Sequence, residues 1–147
     1  MSYLWLPSLR AQNANALQSP FVYGVPSPPT WMGFADALMR DIGAGYSGVG
    51  ALIQRFEAVA YGSTKCFSQA RHPLKRNGVA ASINEEAKCH LTVSVLIELT
   101  SGIELTSVEL ARLAEKKRLA GGAIAPIEEQ HWPKVVDEND PLVATGN

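Results

Sequence analysis

Leu91, Val93, Val95, Ile97 and Leu99 alternate with His90, Thr92, Ser94, Leu96 and Glu98, a period of two that only an extended strand converts into two distinct faces. One face must enter a core, and the other carries His90, Thr92 and Ser94 together. The segment before this strand has a different character. Arg71-His72-Pro73-Leu74-Lys75-Arg76-Asn77-Gly78 combines cations with Pro and Asn-Gly turn chemistry, and residues 79–83 turn back toward the strand. Residues 64–86 therefore read as a long arm that leaves a sheet and returns to it. No Asp or Glu occurs between Glu57 and Glu85. A formal net charge of -1 and a pI of about 6.3 say little, because what a polyanion such as nucleic acid meets is the local concentration of charge.

Two helices follow from periods and caps. Trp31, Phe34, Ala35, Leu38, Met39 and Ile42 fall at helical spacing after a proline-rich run, with Thr30 placed to cap and Gly43 to terminate. The second begins at Thr106, where Thr106 and Glu109 have capping-box spacing. Lys116, Lys117 and Arg118 lie toward its negative end, and Gly121-Gly122 is the expected stop. Short apolar runs at 3–9 and 123–127, and the strand-like stretch 49–61 with Gln54, Arg55 and Glu57 interspersed, supply further strands. The order β, α, β, arm, β, α, β predicts an α+β, ferredoxin-like (RRM-like) βαββαβ domain over residues 1–127, with the arm between the second and third strands. Such a sheet carries helices on one face and leaves the other for ligands. Residues 128–147, with Asp137, Glu138 and Asp140, read as an acidic, disordered tail.

At 147 residues and 46% hydrophobic, the chain can bury a core without covalent staples. Cys66 and Cys89 flank the arm and would face each other if its limbs paired. With no leader-like or long apolar stretch, reduced thiols in a cytoplasm and no membrane association are expected. Cys66, Cys89 and His90 lack zinc-module spacing, and Gly43, Gly45, Gly48 and Gly50 lack the Lys-Ser/Thr of a phosphate loop, so neither a metal nor a cofactor is expected.

Three features carry candidate chemistry. Arg10, Gln12, Asn13 and Asn15 offer a fixed cation and three amides, groups that donate and accept together and suit base edges and the RNA 2′-hydroxyl. Arg71, Lys75, Arg76 and Asn77 at the arm are suited to phosphates. Gly121 and Gly122 beside Arg118 permit a positive φ at one residue and close backbone approach at the other. His72 and His90 admit a different class of function, metal-free RNA cleavage by general acid–base catalysis, although a hydrogen-bonded strand histidine and a turn histidine explain them better.

Several motifs occur in a recognisable order: Leu6-Pro7-Ser8-Leu9-Arg10-Ala11-Gln12-Asn13-Ala14-Asn15-Ala16, Gly24-Val25-Pro26-Ser27-Pro28, the arm motif from Arg71 to Gly78, Glu85-Glu86-Ala87-Lys88-Cys89-His90-Leu91, and Arg118-Leu119-Ala120-Gly121-Gly122-Ala123-Ile124. Together they resemble the family of 5′-handle-binding subunits of the type I-F CRISPR surveillance complex, RAMP proteins, over about residues 4–126. The resemblance implies a non-catalytic assembly subunit of a prokaryotic, cytoplasmic Cascade-like complex. It implies contacts with the crRNA 5′ handle, the large subunit and the adjacent repeated backbone subunit, and with target DNA only indirectly. Carried over by motif, Arg10, Gln12, Asn13 and Asn15 lie near the handle, and His90 is counted with them among the expected RNA-binding residues. Arg71, Lys75, Arg76 and Asn77 meet RNA or a neighbouring protein, and Arg118, Gly121 and Gly122 match the glycine-rich loop. Family members continue for roughly as long again past that loop, so a second function stays open: a short remnant acting as a protein-interaction decoy or inhibitor.

Overall fold

The computed structural model describes residues 1–19, 22–61, 66–71, 74–80 and 83–140. In chain order the elements are β1 (Ser2–Asn15), β2 (Leu17–Ser19), β3 (Val22–Tyr23), α1 (Pro28–Ile42), β4 (Tyr46–Tyr61), β5 (Cys66–Arg71), β6 (Ile83–Glu86), β7 (Lys88–Leu99), α2 (Ser107–Glu115), β8 (Arg118–Leu119), β9 (Gly122–Ile124), a 3-10 turn (Glu129–His131) and β10 (Lys134–Asp137). The main sheet has the order β6-β5-β4-β7-β1-β9-β8, with β10 paired to β1, and its pairings are antiparallel. β2 and β3 form a separate antiparallel pair, so the described residues make an α+β arrangement of a main antiparallel sheet, this small ribbon and two helices.

The alternation at residues 89–99 places β7 at the centre of the sheet, between β1 and β4. Its apolar positions join Leu4, Leu6, Leu9, Ala11 and Ala14 of β1, with Trp31, Phe34, Leu38 and Met39 of α1 and Leu110 and Ala114 of α2, in one buried cluster. Both helices thus cover the same face. Fully burying a Leu or Phe side chain stabilises the fold by roughly 1.5–3 kcal/mol, so this cluster is the main thermodynamic reason the two helices stay docked on the sheet.

β1 is longer than its apolar run suggests. Alternation breaks where Leu6 is followed by Leu9 and Ala11 by Ala14, and the structure resolves both breaks as register shifts against β7. Ser8 and Asn13 adopt positive φ at these points, 48° and 55°. Each bulge absorbs an extra residue so that the next apolar side chain turns inward again. The amide-bearing segment from Arg10 to Asn15, which has the composition of a loop, is consequently part of a strand.

The helix ends show which local signals were sufficient. The N-cap of α1 is Ser27 rather than Thr30, and Pro28 and Pro29 occupy its first turn, where proline's fixed φ is favourable and its missing N–H costs nothing. Gly43 closes the helix at φ 77°. Thr106 and Glu109 form the reciprocal capping box of α2. Gly121 and Gly122, however, do not end α2. The helix stops at Glu115, and the chain enters the β8–β9 hairpin, which pairs with the edge of β1 and buries Leu119 completely.

Residues 128–147 are not uniformly a disordered tail. Lys134–Asp137 pair with β1 from Trp5 back to Ser2, burying Pro133 and Val136; residues 141–147 lie outside the described residues. The sequence reading missed this strand because its four residues offer only two apolar side chains. Cys89 is a buried free thiol whose backbone pairs with Ala58, whereas Cys66 pairs with Tyr61, so the strand register does not bring the two cysteines opposite one another.

Candidate functional site

Strand pairing determines which polar groups share the face away from the helices. Arg10 of β1, Thr92 of β7 and Arg55 of β4 occupy one cross-strand row, and Glu57 lies opposite His90 in the next. Arg10, Gln12, Arg55, Glu57, His90 and Thr92 surround a shallow depression of about 210 Å³. His90 therefore stands in a polar surface patch. Its Nδ1 accepts the backbone N–H of Asn13 at 3.3 Å, which ties the imidazole to the β1 bulge and leaves Nε2 as the ring nitrogen able to donate.

Both arginines of the row are paired. Arg10 Nη2 lies 3.2 Å from Glu128 Oε1, and Arg55 Nη2 lies 3.0 Å from Glu57 Oε2. Thr92 reaches the patch by the alternation of β7, whereas Arg55 and Glu57 join it although no motif marks them. Only the register of β4 on β7 brings those two there, and the bulge between Ile53 and Arg55 hides that register from a period-two reading.

Asn15, Arg118 and Gly121 belong to a second group, around a depression of about 380 Å³ that Thr30 and Phe34 of α1 also line. Arg118 Nη1 donates to the Gly121 carbonyl at 3.2 Å, the Asn15 N–H donates to the Ala120 carbonyl at 2.8 Å, and Asn15 Oδ1 accepts the Leu17 N–H. Gly121 has φ 76°, as a hairpin turn requires. Gly122 is needed for a different reason: a Cβ there would lie 2.6 Å from the Gln12 carbonyl oxygen and 2.8 Å from the Ala14 nitrogen. The close approach it permits is to β1 of the same chain.

The arm leaves the sheet at this same end. Asn15 and Val59 both pair with Lys88, and β5 joins β4 immediately beyond, at Ala60 and Tyr61. Arg71 pairs through its backbone with Ile83 near the distal end of the β5–β6 ribbon. At the tip, residues 74–80 are exposed, and Lys75, Arg76 and Asn77 sit in a turn closed by Gly78 N–H to Lys75 O at 2.8 Å and by Val79 N–H to Asn77 Oδ1 at 3.2 Å. His72 lies outside the described residues.

Toward the opposite end, the open face is partly covered by the chain's own tryptophans. Trp5 is buried outside the main core, and with Pro7, Ser8, Gln54, Trp132 and Lys134 it lines a cleft of about 500 Å³. Ser94 is buried beneath it, accepting the Ser8 N–H at 3.0 Å. The polar, uncovered part of the face is therefore the half nearest the arm. Among the described residues no cluster of side chains suited to a metal ion occurs, and no helix is long and apolar enough to cross a membrane.

Comparison with known proteins gives this geometry a family. Residues 4–145 match the family described as CRISPR-associated protein (Cas_Csy2). The chain is also similar to CRISPR-associated protein Csy2 of Pseudomonas aeruginosa (strain UCBPP-PA14), at 40% identity over 144 residues, covering 88% of this chain. It spans 44% of that relative's length. With nearly its whole length matched, the chain belongs to the Csy2 family of type I-F CRISPR-associated proteins.

Proposed function

We propose that the chain is a non-catalytic, crRNA 5′-handle-binding and assembly component of a type I-F CRISPR interference complex, seated beside the large subunit and the adjacent backbone subunit. The observation that carries this reading is the gathering of Arg10, Gln12 and His90 on the uncovered half of the open face, at the sheet end from which the cationic arm departs. The core strand order β4-β7-β1-β9, with one helix after β1 and one after β7, supports a ferredoxin-like, RAMP-type domain. An RNA-recognition sheet uses its helix-free face in this way, with cations for phosphates and amides for splayed bases. His90 serves as a positioned donor in this reading, because its other nitrogen is committed to the Asn13 backbone. Target DNA is met through the guide, not by this surface.

The test is the salt dependence of binding to a single-stranded RNA carrying the 5′ handle. Replacing Arg71, Lys75 and Arg76 together with Ala is expected to flatten the slope of log affinity against log salt by about 2, since each neutralised phosphate on a single strand contributes roughly 0.7. An unchanged slope removes the arm from the RNA interface.

A further inference from the structure

We propose that the open-face row Arg10–Thr92–Arg55 is a two-point phosphate clamp for single-stranded nucleic acid, and that Glu128 and Glu57 occupy its guanidinium groups until phosphates displace them. This rests on the reading that the face takes RNA, and it adds residues that no family motif marks. The three row residues sit on adjacent strands β1, β7 and β4. Neighbouring strands are about 4.8 Å apart, so the two arginine Cα atoms are roughly 10 Å apart and both side chains rise from one face. Thr92 puts a hydroxyl between them.

Among the described residues each guanidinium is held by one carboxylate, Arg10 by Glu128 at 3.2 Å and Arg55 by Glu57 at 3.0 Å, and all four side chains are more than half exposed. Such pairs are weak and screened by salt. A guanidinium has five donors in a planar fork, so a phosphate offering two oxygens makes the stronger, bidentate contact. Glu128 is brought to Arg10 by the fold: the Ala125 N–H donates to the Arg10 carbonyl at 2.8 Å, and the Ile127 N–H donates to Glu115 Oε1 at 2.7 Å. The carboxylates therefore mark two anion seats, and in the RNA-free protein they neutralise the face and lower its attraction for unspecific polyanions.

The experiment compares the full chain with Glu57→Gln, Glu128→Gln, Arg55→Gln and the Glu57→Gln/Arg55→Gln pair, using a handle-containing RNA and an oligouridylate of equal length at fixed salt. Each glutamate replacement alone is expected to tighten binding of both RNAs about two- to fivefold, the range that loss of one exposed ion pair allows. Arg55→Gln is expected to weaken binding, and in that background Glu57→Gln is expected to give no gain. A gain that survives in Arg55→Gln would show plain charge repulsion and overturn the clamp. So would gains no larger than that of Glu98→Gln, on the same face of β7 but opposite Tyr3 and Gly48. If the protein prefers the handle RNA but the glutamate gains are absent, the clamp falls and handle binding stands. Gains on both RNAs without a handle preference leave the clamp standing and overturn handle binding. Failure to bind either RNA overturns both.

Discussion

Gly122→Ala is expected to destabilise the chain by about 3 kcal/mol, the upper part of the range for overpacking a closely fitted site. The added methyl would meet backbone and not a yielding side chain: the Gln12 carbonyl oxygen at 2.6 Å, the Ala14 nitrogen at 2.8 Å and the Ala14 Cα at 2.9 Å. Relief requires β9 to move away from β1, which disturbs the Asn13 bulge and with it the hydrogen bond that orients His90. Gly121→Ala is the internal control. Its positive φ costs about 1 kcal/mol, but nothing lies within 4 Å of the new Cβ, and the preceding residue, Ala120, already adopts φ 52°. Chemical denaturation of both variants checks the order. Equal losses would show that the glycine pair serves only turn geometry.

Alkaline pH should reveal the second large effect. Burial pushes the Cys89 thiol up to about 11 from an ordinary value of 9.0, and its side chain is wholly enclosed between β1, β7 and β4. The unfolded chain loses this proton first. Between pH 9 and 11 the folded state binds more protons than the unfolded state, so stability present below pH 9 is lost as pH rises through about 11. The loss approaches about 3 kcal/mol at about 1.4 kcal/mol per tenfold change in proton affinity. Cys89→Ala removes this contribution, and denaturant titrations at pH 7, 9 and 10.5 should show the variant losing less stability than the parent across that interval. Parallel losses in the two proteins would exclude Cys89 as the cause.

The elements that were legible in the sequence are those whose signal is local. The alternation of β7, the glycine stop of α1 and the Thr106–Glu109 box of α2 each depend on residues within a few positions of one another, and each has its structural counterpart. β1 was only half legible because its two bulges replace a spacing of two by a spacing of three, at Leu6 to Leu9 and at Ala11 to Ala14. The candidate site shows the same division. Arg10 and Gln12 stand out by composition, and His90 by its place in the alternation. Arg55 and Glu57 enter the patch only through pairing of β4 with β7, and Glu128 reaches Arg10 across 118 residues of chain. Gly122 was legible as a close-approach glycine, but the sequence did not reveal that β1 is what approaches it. Residues 134–137 become a strand because β1 presents an edge to them, a fact about the sheet that their own composition does not carry.

The proposed function requires one RNA end to engage both the patch and the arm. The most direct measurement is to express the chain with its genomic neighbours, purify it under nuclease treatment, and sequence the 5′ ends of the protected RNA. The account predicts RNA with a uniform 5′ sequence, lost when Arg10 and Gln12 are replaced together with Ala. RNA-free association with the large subunit, or protected RNA with random 5′ ends, would contradict it.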